Sequence, residues 1–150
     1  MIQRIQSLYL LLVLVLTIVC QFFTMGRFLG GDGEPIGEMN NFTIVQADKV
    51  AYTTWALGVL LILVSIVTFL SICLFRKRMR QIRLCLFSSI LLIGYYIVYV
   101  VFIFYLMPEG GSFRPALAAS FPLLALILNW LAIRAIGADE MLVRSLDRIR

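Results

Sequence analysis

Histidine is absent from this chain of 150 residues, and charge is scarce: Lys, Arg, Asp and Glu together make up 14%. The first absence removes the usual zinc ligand, the usual haem axial ligand and the commonest general base. The second falls well below the roughly 25% charged residues of an ordinary soluble domain. Cysteine is limited to Cys20, Cys73 and Cys85, without CxxC spacing or a polar setting, so these read as small core residues, and Cys73 and Cys85, expected near the cytoplasm, as free thiols in a reducing compartment. No cofactor or metal site is expected from this inventory.

What is present is apolar. Hydrophobic residues make up 62% of the chain, and the mean hydropathy is +1.00. A domain this small buries only about two-thirds of the surface its unfolded chain exposes, so most of this chain needs lipid as its solvent. A soluble enzyme, a nucleic-acid-binding domain and a disordered tail are excluded as whole-chain readings. The net charge of +5 does not point to nucleic acid, because the basic residues sit beside the hydrophobic runs.

Four apolar runs are long enough to be spans, at about 7–25, 51–75, 84–107 and 116–136, since a bilayer core takes roughly 20 helical residues to cross. No Asp, Glu, Lys or Arg interrupts them until Arg134, so no carboxylate relay or charged ion path can be built inside. The expected fold is therefore an all-α membrane protein: four transmembrane helices in a bundle and a short cytoplasmic C-terminal amphipathic helix, in one integral membrane domain over 1–150. The first run is expected to be an uncleaved anchor, because no Ala-x-Ala-like site follows it. Basic residues in short loops stay cytoplasmic. Arg4, Arg76, Lys77, Arg78, Arg80, Arg83, Arg134, Arg144, Arg148 and Arg150 fall on one side, against Arg27, Lys49 and Arg114 on the other. Both termini are thus expected in the cytoplasm.

The outer loop, 26–50, opens with a glycine-rich stretch that favours turns; Phe42-Thr43-Ile44-Val45 suits one short strand or the bilayer surface. Asp32, Glu34 and Glu38 do not match a calcium loop and read as a solvated turn. Asn41-Phe42-Thr43 is a glycosylation sequon that matters only in a eukaryotic secretory pathway. Tyr52 and Trp55 read as interfacial anchors, Pro122 as a possible kink, and Gly94 as a point of close helix approach.

Thr68, Ser71, Ser88, Ser89 and Asn129 all fall about 6–10 Å from the cytoplasmic boundary at a rise of 1.5 Å per residue, which makes one polar layer. Interhelical hydrogen bonding is the favoured role of that layer, ahead of a ligand site. Tyr95 and Tyr99 share a helix face, too deep for an interfacial belt, so their hydroxyls need partners within the bundle. Beyond 136, Leu142, Leu146 and Ile149 line one face of an amphipathic tail, 137–150, that lies on the inner leaflet or docks a partner; its acids can also pair with Arg4 or with the basic loop 76–83. The expected interaction surface comprises Gln3, Arg4, Gln6, Arg134, Asp139, Glu140, Arg144 and Arg148.

Three stretches carry a family resemblance: the opening Met1-Ile2-Gln3-Arg4-Ile5-Gln6-Ser7-Leu8-Tyr9-Leu10, the basic loop 76–83, and Arg134-Ala135-Ile136 with Asp139-Glu140 through Arg150. Together they resemble a family of four-helix inner-membrane proteins from Bacteroidota, catalogued as domain of unknown function 4293. The resemblance covers essentially the whole chain, with its specific part at the two ends. It implies a bacterial inner membrane and a lineage, carries no activity, and makes the Asn41 sequon irrelevant.

Three functions are in play. A non-catalytic accessory or scaffold subunit of an envelope assembly fits best, with membrane lipids, anionic lipids at the cytoplasmic face, and another membrane protein or a second copy as partners. The alternative is a small oligomeric transporter or channel for an uncharged or lipid-like solute, with a water path through Ser88, Ser89, Asn129 and the tyrosines. An intramembrane enzyme comes last, because no nucleophile in the spans has a base near it in sequence.

Overall fold

The computed structural model describes residues 2–46, 49–74, 77–107 and 109–147; within these, the side chains at 2–4, 46, 49–52, 144, 146 and 147 fall outside the description. Among the described residues the chain is mostly helical, with α1 (Ile2–Cys20), α2 (Trp55–Cys73), α3 (Arg78–Leu106) and α4 (Phe121–Asp147). Three helices are long and apolar enough to cross a membrane, at Trp55–Cys73, Arg78–Leu106 and Leu117–Val143; the apolar part of α1, Ile5–Cys20, is shorter. α1 and α3 each pack against both α2 and α4.

Each helix buries one narrow stripe. The stripes run Gln6-Leu10-Val13-Thr17-Cys20, Leu57-Leu61-Val64-Thr68-Ser71, Gln81-Cys85-Ser88-Leu92-Tyr95-Tyr99 and Ala125-Asn129-Ala132-Ile136. Alternating steps of four and three residues average 3.5, close to the helical repeat of 3.6, so each stripe stays on one face of its helix. Small and polar residues dominate these seams, whereas Leu8, Leu11, Ile62, Ile66, Phe69, Ile90, Ile97 and Ile127 face outward. Small residues at such contacts let backbones approach, and polar ones hydrogen-bond across between helices.

The expected all-α chain also carries a sheet. β1 (Gly26–Leu29), β2 (Pro35–Met39), β3 (Thr43–Gln46), β4 (Lys49–Thr53) and β5 (Ser112–Pro115) form one antiparallel sheet in the order β4-β3-β2-β1-β5. The expected strand near 42–45 is β3, and the turns expected from the glycine-rich stretch 30–37 are found at 30–34, whereas 35–37 belong to β2. Gly33 turns the chain at φ +79° between β1 and β2. The flanking residues nevertheless pair, because β5, remote in sequence, supplies the second neighbour of β1. Of the acids read as a solvated turn, Glu38 instead sits in β2, opposite Arg27 on β1, with 2.8 Å between their charged atoms.

Several boundaries move for the same reason. The first run stops being helical at Cys20 because the backbone N–H of Met25 donates to Met39 and its carbonyl accepts from Ala116, drawing 21–25 towards the sheet. β4 takes residues 49–53, so α2 starts at Trp55 rather than 51. α3 begins at Arg78, six residues before the expected 84. A short 3-10 turn at Leu117–Ser120 precedes α4, and Pro122 stands in the first turn of that helix, where its missing N–H costs nothing. The separate C-terminal amphipathic helix is not found: α4 runs unbroken through Gly137 to Asp147. Gly94 has nothing within 4 Å of where a Cβ would stand, so it mediates no close approach; Gly58 does, since the Phe42 ring occupies that space.

Candidate functional site

Two clusters of polar side chains lie along the helices, one at each end. At the end with the sheet, Asn41 follows β2 and is fully buried. Its Nδ2 donates to the Cys20 carbonyl at 2.7 Å, satisfying one of the acceptors left open at the end of α1. Its Oδ1 accepts from the Tyr95 hydroxyl of α3 at 2.8 Å. Its own carbonyl accepts from Gly58 N–H of α2 at 2.9 Å. One residue in the turn between β2 and β3 thereby joins three helices. Met25 plays a parallel part: its carbonyl accepts from the Tyr99 hydroxyl at 3.2 Å and from Ala116 N–H at 2.9 Å. The Tyr96 hydroxyl donates to the Ala119 carbonyl at 2.7 Å, beside the start of α4. The three tyrosine rings sit against one another, Tyr95 and Tyr99 stacked with centroids 6.2 Å apart.

Towards the opposite end, the structure brings Thr68, Ser71, Ser88, Ser89 and Asn129 close around Cys85. Asn129 Nδ2 donates to the Cys85 carbonyl and to Ser89 Oγ, both at 2.9 Å. Ser89 Oγ also donates to the Cys85 carbonyl at 3.0 Å. Ser71 Oγ lies 3.2 Å from Cys85 Sγ, and Thr68 Oγ1 lies 3.3 Å from Ser88 Oγ. The cluster therefore spans α2, α3 and α4 with neutral donors and acceptors. Within this cluster, Asn129 Oδ1 is buried with no hydrogen-bond partner among the described residues.

Beyond this cluster lies the face expected to interact. Gln6 departs from it: the side chain is 4% exposed, and Nε2 donates to the Ala135 carbonyl at 3.1 Å, pinning α1 to α4. Arg134 is exposed, with its guanidinium 5.7 Å from the centroid of the Trp130 ring one turn earlier. Asp139 forms an ion pair with Arg78 at 3.0 Å, a largely enclosed contact, and Arg78 also reaches the Asp139 carbonyl at 3.4 Å. Glu140 lines a cleft with Lys77, Arg78 and Arg80. The side chains of Gln3, Arg4 and Arg144 lie outside the description, and Arg148 lies outside the described residues.

Sequence reasoning singled out none of Met25, Thr17, Ser65 and Gln81, took Asn41 only as a sequon, and read Cys85 as a small core residue, which its burial bears out. The signal for Thr17, Gln81 and Cys85 was present, since each falls on a 3.5-residue stripe shared with other small or polar residues. Asn41 carried only the sequon, and nothing local marks it as a residue that three helices use. Thr17 and Ser65, with hydroxyls 3.0 Å apart, join α1 to α2 midway along.

No curated protein matches the chain. A family model does, over residues 2–149: the chain belongs to the family described as domain of unknown function DUF4293.

Proposed function

We propose that this chain is a non-catalytic, multi-pass protein of a bacterial inner membrane, with its helices inserted as a bundle and both termini cytoplasmic, acting as an accessory or scaffold subunit of an envelope assembly. The observation that carries this reading is the distribution along the helices: seams rich in small and polar residues inside, large aliphatic side chains outside. In water that arrangement exposes far more apolar surface than a soluble monomer tolerates; in lipid it costs nothing. α3 and α4 span about 43 and 40 Å at a rise of 1.5 Å per residue, against a hydrocarbon core of about 30 Å, so their basic ends project beyond it. Phe22, Trp55, Phe104, Tyr105 and Leu117, strongly exposed at the sheet end of the helices, suit the opposite interface.

A supporting rather than catalytic role is favoured by what the buried hydroxyls and thiols touch. Ser71, Cys85, Ser88, Ser89 and Thr68 are hydrogen-bonded to one another and to amides and carbonyls, not to a base that would activate them. The test is crosslinking in native membranes, extraction in mild detergent and mass spectrometry. A reproducible partner crosslinked through the Arg78, Asp139 and Glu140 face is expected; recovery of the chain alone, with no change in any complex when it is deleted, would overturn the accessory role.

One observation favours the second reading, an oligomeric transporter for a lipid-like solute. A groove of about 580 Å³ between α1 and α2 is lined by Ile18, Gln21, Phe22, Phe42, Ile62, Ser65 and Ile66. Cysteine substitutions at Ser88 and Ser65 separate the two. Labelling of Ser65→Cys and Ser88→Cys by a water-borne maleimide indicates a path, and protection of both favours the scaffold.

A further inference from the structure

We propose that the cleft between the start of α3 and the C-terminal part of α4 binds the phosphate headgroup of an anionic lipid, with Lys77 and Arg80 as the side chains that hold the anion. The cleft encloses about 490 Å³ and is lined by Lys77, Arg78, Met79, Arg80, Glu140 and Val143. Three cations thus face one acid, and Arg78 is already engaged by Asp139 at 3.0 Å. Lys77 and Arg80 are exposed and have no ion pair among the described residues. They stand three residues apart, so their charges are neighbours and repel. The first turn of α3 contains no acid to offset them. A phosphate between them relieves that repulsion, and the charge-assisted hydrogen bonds it accepts are among the strong ones.

The other wall of the cleft selects the source of the phosphate. Met79 and Val143, which line the cleft, are 47% and 41% exposed. A soluble phosphate ester leaves this apolar flank in water, whereas a lipid covers it with glycerol and the first methylenes of its chains. Basic pockets between helices at the cytoplasmic face are the recurring setting for such headgroups. The site rests on the membrane reading above, with this end of the helices cytoplasmic.

The experiment uses the full chain purified in a zwitterionic detergent and titrated with phosphatidylglycerol, phosphatidylcholine or free glycerol 3-phosphate, followed by native mass spectrometry and thermal denaturation. The wild-type chain is expected to retain phosphatidylglycerol over phosphatidylcholine, less so at high salt. Combined Lys77→Gln and Arg80→Gln is expected to weaken retention about tenfold or more, whereas Arg83→Gln, outside the cleft, changes it less than twofold. Combined Lys77→Arg and Arg80→Lys keeps the charges, and restored binding there shows that loss in the Gln pair is not misfolding. Equal loss in Arg83→Gln and the Gln pair means diffuse attraction and overturns the site, as does retention unaffected by the Gln pair. Glycerol 3-phosphate competing as well as the lipid overturns the lipid assignment. Carbonate extraction of the native chain is the control on the underlying reading. A chain released by carbonate overturns the membrane assignment and this site together, and a chain that stays with the membrane leaves the lipid titration to decide the site alone.

Discussion

Replacing Asn41 with Ala leaves the Cys20 carbonyl and the Tyr95 hydroxyl without their main partners, inside a cluster from which solvent is excluded. A buried group left unpaired costs about 1–3 kcal/mol, and Met25 Sδ, 3.3 Å from the same hydroxyl, recovers part of it. Tyr95→Phe strips the donor from Asn41 Oδ1 and is expected to cost about 1 kcal/mol. The double variant is expected to cost less than the sum, because both changes break one bond; denaturation in detergent, read as a double-mutant cycle, checks this. Gly58 depends on the same region. A methyl group there meets the Phe42 ring, so Gly58→Ala should destabilise by about 1–3 kcal/mol, and Phe42→Ala in the same chain should recover part of that loss by clearing the space. Gly94→Ala, with open space around it, is the contrasting control.

Among elements, α4 shows how a boundary signal can be overridden. Gly137 invites a break between a span and a tail, yet Ile136 packs with Leu10, Cys85 and Ala132, and Asp139 one turn later is held by Arg78. Contacts on both sides of the glycine keep the helix continuous. Nothing lies within 4 Å of a Cβ at this position, so Gly137→Ala should stabilise α4 by about 0.5–1 kcal/mol, seen as a higher melting temperature. The Arg78–Asp139 pair is neither fully exposed nor fully enclosed. Removing one partner, as in Asp139→Asn, is expected to cost about 1–3 kcal/mol, between the roughly 0–1 of surface pairs and the 3–5 of buried ones. The loss should appear in the same melt and be smaller when Arg78→Gln is already present. The sheet is the element least legible beforehand. Its strands are short, four or five residues each, and β1 owes one of its two neighbours to a segment that lies beyond two helices in sequence.

For the whole molecule, the membrane reading makes a topological prediction. In a Cys73→Ser background, Asp32→Cys in the turn between β1 and β2 should react with an impermeant maleimide on intact cells. Ser145→Cys, exposed near the end of α4, should react only after permeabilisation. Native Cys20 and Cys85 are buried and should stay unlabelled in either case. Reversed labelling would invert the orientation, and labelling of both sites on intact cells would rule out a chain that separates two compartments.

Composition and the spacing of charge were enough, without any fold, to establish that apolar helices dominate, roughly where four of them lie, and that basic residues gather at one end. These are properties of local sequence: a run of about 20 apolar residues suits a helix, which satisfies its backbone hydrogen bonds within the segment itself. The polar layer of Thr68, Ser71, Ser88, Ser89 and Asn129 was legible too, because depth along a helix scales with residue number. Which of these groups touch, and that Cys85 stands between them, depends on helix rotation and pairing, which depth does not specify. The sheet, the Asn41 junction, the unbroken α4 and the withdrawal of Gln6 from the surface were decided only by the tertiary structure. Each depends on a partner distant in sequence: β5 for β1, Tyr95 for Asn41, Arg78 for Asp139, and the Ala135 carbonyl for Gln6. A hydrogen bond is worth its energy only where its partner is present, and in this chain those partners are supplied by folding.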